Sequence, residues 1–124
     1  MSEMDKKPDY VQIGSIVIRC YEFEQMWQFW QAALQYIVGH TDVDFVILKD
    51  PHGDGPNLSL DKSPTRRTGK RSWIHLDLYT TNQADEVERL VSLGARRYPW
   101  NYPLDADYVV LEDPDGNFFC VVQI

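Results

Sequence analysis

Cysteine is scarce in this chain: two stand among 124 residues, Cys20 and Cys120, far apart and without Cys-x-x-Cys spacing. Neither a disulfide framework nor a zinc knuckle can be built from them, and both are expected as reduced thiols. Positive charge is also short, since 12 Lys and Arg against 19 Asp and Glu leave a net charge of -7 and a pI near 4.8. Affinity for a phosphate backbone comes mainly from basic side chains that displace counterions, so nucleic acid is excluded as a partner. No window approaches the roughly 18 consecutive apolar residues of a membrane span. Met1 to Pro8 has no apolar core of a secretory signal either, so a cytoplasmic protein with no membrane partner is expected.

What the chain does have is a hydrophobic content of 44% with 13% aromatic residues, enough apolar surface to fold one domain. It also repeats itself. Phe45-Val-Ile-Leu-Lys-Asp-Pro-His-Gly53 returns as Tyr108-Val-Val-Leu-Glu-Asp-Pro-Asp-Gly116, at an offset of 63. Earlier in each half the offset is 60, pairing Ile16 and Ile18 with Leu76 and Leu78, then Trp27 and Trp30 with Val87 and Leu90. One unit has been duplicated, and two similar halves related by a pseudo-twofold are expected to share a core and build a cleft that matched positions face.

After a polar tail over 1–10, the β-branched run Val11 to Arg19 reads as a strand. Glu22 to about Tyr36 carries Phe23, Trp27, Trp30 and Leu34 at helical spacing, a core helix in which Trp27, Phe29 and Trp30 are packing residues. Gln35 stands at its end, where a left-handed residue other than glycine costs about 1 kcal/mol, so the helix is expected to run on toward Gly39. Phe45 to Lys49 and Asn57 to Leu60 are strands about a turn at Asp50-Pro-His-Gly53. The first half thus covers about 11–62 and a breaker-rich linker 63–71, with Arg66, Arg67, Lys70 and Arg71, leads to a second half over about 72–124. That half opens on the strand Trp73 to Tyr79. Its helix has Asn82 as N-cap with Asp85 completing an approximate capping box, an Asp85–Arg89 pair, and Gly94 as the closing glycine.

The doubled strand-helix-strands order, His75-Leu-Asp77, the helix exit Ser92-Leu-Gly-Ala95 and the ending Asp113-Pro-Asp-Gly-Asn-Phe-Phe-Cys120 resemble the vicinal oxygen chelate superfamily, and within it the glyoxalase-like domains of the glyoxalase, bleomycin resistance protein and dioxygenase type. The resemblance covers about residues 11 to 124. It implies an α+β fold of two tandem βαβββ modules whose curved mixed sheets surround a cleft. It also implies metal-ligand positions on the first and last strands of each module, which here read Ser15, Ser59, His75 and Cys120. One good ligand among four is a degenerate set, so no metal and no cofactor are expected and the glyoxalase I reaction is disfavoured.

Strand alternation places Ile74, Leu76 and Leu78 on one face and His75, Asp77 and Tyr79 on the other. An imidazole beside a carboxylate can move protons, which makes these three the candidate catalytic group; the alternative is that His75 is a structural relic of a ligand position. Ser15, Arg19, Ser59, Trp73, Trp100, Tyr102 and Cys120 are the candidate ligand-binding residues. Arg19 suits an anionic group or stands in solvent, and Cys120 is a nucleophile if its pKa is lowered or a small packing residue if it is not. Tyr98 to Pro103 holds the aromatics that lie over the cleft in proteins of this type, available to stack on a flat molecule.

Three functions fit these residues. The first is binding or sequestration of a small aromatic or amphipathic molecule. The second is a lyase or isomerase with His75 as acid and base, and the third is a metal enzyme whose site a second chain completes. A homodimer is the expected assembly, because open sheet edges invite pairing.

Overall fold

The computed structural model describes residues 12–66 and 74–124. The first half runs β1 (Ser15–Cys20), α1 (Phe23–Leu34), β2 (Ile37–Asp42), β3 (Phe45–Lys49) and β4 (Asn57–Lys62). The second runs β5 (Leu76–Thr80), α2 (Gln83–Leu93), β6 (Arg96–Arg97), β7 (Tyr108–Glu112) and β8 (Phe118–Gln123). Their sheets have the same order, β1-β4-β3-β2 and β5-β8-β7-β6. In each, the first strand pairs parallel with the last and the remaining pairs are antiparallel. This is the doubled α+β architecture expected from the repeat.

Each half alone is too small to bury an adequate core, and the two share one. Phe29 and Trp30 of α1 meet Phe119 of β8 with ring centroids 6.0 and 5.1 Å apart, and all three are buried. The buried stripe of α1 is Phe23, Met26, Phe29, Trp30 and Ala33. Trp27 and Leu34, expected within that stripe, pack at its margin. The second half also grips α1 along its length. Asp115 Oδ1 accepts the backbone N–H of Tyr21 and Glu22 at the helix start, the carboxylate of Asp113 accepts Trp30 Nε1–H at 3.1 Å, and Arg89 donates to the carbonyls of Ala32 and Ala33 at the helix end.

Three local expectations are corrected. The first helix stops at Leu34 instead of continuing to Gly39. Gln35 is left-handed, with φ 57° and ψ 40°, and Tyr36 N–H closes the helix by donating to the Gln31 carbonyl. The strain of about 1 kcal/mol is outweighed because the turn frees 37–42 to pair with β3. Asn82 makes no side-chain cap; its amide donates to Asp85 at 3.0 Å, while Gln123 of β8 accepts the N–H of Gln83. Arg89 pairs with Glu86, not Asp85, because its guanidinium is drawn across to α1.

Candidate functional site

In β5, Leu76 and Leu78 turn toward the shared core, so Asp77 and Tyr79 point to the opposite face of the sheet. In β8 the same alternation buries Phe119 and Val121 and turns Phe118, Cys120 and Val122 outward. Strand register then sets the rows. Asp77 stands beside Cys120, which stands beside Val110, and the next row is Tyr79, Val122 and Tyr108. A cleft of about 440 Å³ lies over these rows, with His75, Trp100, Asp107 and Phe118 completing its wall. The volume suits a small organic molecule.

At one side of the cleft His75 Nε2 is 3.2 Å from Asp77 Oδ1, and both side chains are about half exposed. A nitrogen of His75, an oxygen of Asp77 and Sγ of Cys120 all lie within 4.8 Å of one another. Burial raises the pKa of the Cys120 thiol, and the charge of Asp77 and a hydrogen bond to it raise it further. The thiol therefore stays protonated and donates to Asp77, which is the wrong state for a nucleophile. Cys20, in the core, is pushed up to about 12, mainly by burial and then by Asp115 and Asp113.

Of the residues singled out in the sequence, His75, Asp77, Tyr79, Trp100 and Cys120 line this cleft. Ser15, Arg19, Ser59 and Tyr102 do not. Ser15 and Ser59 bond each other through their hydroxyls at 2.7 Å on the first sheet, where Ser59 is buried beside Val17 and Ile47. Arg19 pairs with Asp61 at 3.8 Å and lines an adjoining hollow of about 350 Å³ between the halves, whose wall shares His75 and Phe118 with the cleft. The hydroxyl of Tyr102 accepts the N–H of Val110 at 2.8 Å, so this ring braces the cleft from outside. Trp73 lies outside the described residues, as do Arg67, Lys70 and Arg71. Matched positions of the halves therefore do not meet in this cleft. The halves meet where α1 packs on Phe119 of β8 and approaches α2, and Val17 and Arg19 of the first half share a second hollow with His75.

Asp107, Tyr108, Val110, Phe118 and Val122 were missed as lining residues. Phe118 and Val122 follow from Cys120 by the strand period of two, whereas Tyr108 and Val110 require the β7–β8 register.

The metal set implied by the resemblance does not fit. Two of its four positions are serines that satisfy each other, and a hard or borderline ion needs several free donors. Among the described residues, His75, Asp77 and Cys120 are the group of metal-ligand types in mutual reach.

The glyoxalase-like domain family model matches residues 15–122. No curated protein matches. Among solved structures, a glyoxalase/bleomycin resistance protein/dioxygenase family enzyme from Burkholderia phytofirmans superposes with TM-score 0.72 at 15% identity, over 92% of this chain and 99% of that one. The trypanothione-dependent glyoxalase I of Leishmania major gives 0.69 at 14% identity, over 92% and 87%. A fosfomycin resistance protein of Listeria monocytogenes, in complex with Mn(II) and a dihydroxypropylphosphonic acid, gives 0.71 at 11%, over 90% and 88%. At such identities these structures speak for the fold alone. With the family model spanning nearly the whole described chain and the doubled βαβββ order in place, the chain belongs to the glyoxalase-like domain family of the vicinal oxygen chelate superfamily.

Proposed function

We propose that the chain holds a small aromatic or amphipathic molecule in the second-half cleft, using its own side chains and no metal. The observation that carries this reading is the composition of the wall, in which Trp100, Tyr108, Phe118, Val110 and Val122 offer apolar surface around the polar group of His75, Asp77 and Cys120. Apolar walls supply affinity and a few convergent polar groups supply orientation, the usual division of labour in small-molecule sites. Sequestration needs nothing more.

Calorimetric or fluorescence titration of flat aromatic compounds against the wild-type chain and Trp100→Ala tests the reading. Saturable binding weakened by the variant supports it, and binding unchanged by loss of that ring removes it.

A second reading, proton transfer in a lyase or isomerase reaction, is favoured by the His75–Asp77 contact. Asp77 Oδ1, 3.2 Å from His75 Nε2, stabilises the imidazolium that forms when His75 takes a proton. Tyr79, on the same face, orients the substrate in this scheme. Turnover abolished by His75→Ala and slowed by Asp77→Asn is its signature. We further propose a cytoplasmic homodimer, since β1, β2, β5 and β6 are outer strands of their sheets. A sedimentation mass that stays at 14.5 kDa at all concentrations counts against the dimer.

A further inference from the structure

We infer that the molecule taken by the second-half cleft is an aromatic cation, a flat ring carrying a protonated amine or amidine, and this rests on the reading of that cleft as a small-molecule site. Among the described residues the wall carries two carboxylates, Asp77 and Asp107, one imidazole, His75, and no lysine or arginine. Even with the imidazole protonated, the formal charge of the wall is negative. The whole chain adds to this field with its net charge of -7.

The two carboxylates differ in what they already hold. Asp77 is engaged by His75 Nε2 at 3.2 Å and by the Cys120 thiol, and a carboxylate has about four lone-pair directions, so it keeps capacity for a further donor. Asp107 is anchored by its backbone, whose carbonyl accepts from Gln123 N at 2.8 Å and Gln83 Nε2 at 2.9 Å. Its side chain is exposed at the cleft with no hydrogen bond or ion pair among the described residues. A fixed, unspent carboxylate beside aromatic rings suits a cation. Tyr108 is the next residue, Tyr79 stands in the same row of the sheet, and Trp100 closes the wall. Ring faces attract cations, most strongly where water is partly excluded.

The same wall discriminates against anions. A carboxylate or phosphonate ligand would meet Asp77 and Asp107 with no guanidinium or ammonium among the described wall residues to offset them. The phosphonic acid bound by the Listeria fosfomycin resistance protein is thus the wrong charge for this cleft.

The test is calorimetric titration of the full chain, in EDTA, with four probes: 2-naphthylmethylamine, 2-naphthylmethanol, 2-naphthoate and cyclohexylmethylamine. The naphthyl amine is expected to bind about tenfold more tightly than the alcohol and than the aliphatic amine, with naphthoate weakest. Asp107→Asn should cut the amine's advantage over the alcohol to within about threefold. Asp77→Asn provides an independent second variant, and far-UV circular dichroism checks both folds. If the alcohol or naphthoate binds as well as the amine, the cation assignment is overturned while the aromatic cleft stands. If no naphthyl probe binds, both fail.

Discussion

Asp113 lies where the Asp-Pro-Asp-Gly-Asn turn meets α1, and its removal strikes the joint between the halves. The side chain is fully buried. Its carboxylate accepts Trp30 Nε1–H at 3.1 Å, the N–H groups of Asp115 and Asn117 at 3.0 and 2.9 Å, and the Asn117 side-chain amide at 3.0 Å. Asp113→Ala leaves all of these donors without their acceptor. The indole of Trp30 is 1% exposed and cannot turn to water, which costs about 1–3 kcal/mol. The other donors sit in a half-buried turn that water reaches, at about 0.5–1 kcal/mol each. A total of roughly 3–5 kcal/mol is expected, a large share of the stability of a small domain. Asp113→Asn keeps the shape and one acceptor oxygen and should cost roughly 1–3 kcal/mol.

Urea unfolding followed by circular dichroism measures both variants, and the m-value should stay unchanged. The pH dependence is a second check. Burial raises the pKa of Asp113 above the ordinary 3.8, against hydrogen bonds from Asn117, Trp30 and Asp115 that lower it. A carboxyl raised on folding contributes stability that is complete below its unfolded pKa and is lost as pH rises through its folded pKa. Wild type should therefore gain on Asp113→Asn as pH falls through the raised folded pKa toward the ordinary 3.8. A loss below about 1 kcal/mol for Asp113→Ala, or an Asn penalty that shrinks on acidification, refutes the reasoning.

Further outcomes follow from the same geometry. Gln35→Gly, relieving the left-handed backbone at φ 57°, should raise stability by about 0.5–1 kcal/mol; a loss in urea unfolding would place the helix end elsewhere. Arg89→Ala should cost about 1–2 kcal/mol by freeing the carbonyls of Ala32 and Ala33, with Arg89→Lys recovering part of it, and equal unfolding midpoints for all three proteins would contradict this. His75→Ala should alter probe binding or turnover while changing stability by no more than about 0.5 kcal/mol, whereas Leu48→Ala, at a site 0% exposed, should cost about 2–5 kcal/mol. Protein purified without added metal should contain well under one equivalent of zinc, nickel, iron or manganese, because Ser15 and Ser59 satisfy each other; stoichiometric metal lost on His75→Ala would show otherwise.

Residue order alone determined the architecture, since a repeated strand-helix-strand pattern with matched turns at Asp50 and Asp113 leaves few ways to fold 124 residues. It also determined which residues of a strand share a face, because the pleat reverses at every residue, and so put Asp77 and Tyr79 together on the face away from the core. The tertiary structure decided what those faces meet. Cys120 donates to Asp77 because β8 lies parallel to β5 in one particular register, and Tyr108 and Val110 join the cleft for the same kind of reason. Val17 stands beside Ser59 where Asp77 stands beside Cys120, so the first sheet carries no matching polar group. Gln35 turned left-handed against its own preference, and Arg89 abandoned Asp85 for α1. Period and propensity are local and act within a few residues, whereas register and the joint between halves are settled by one shared core. Burying Phe29, Trp30 and Phe119 together outweighs the local terms by several kcal/mol.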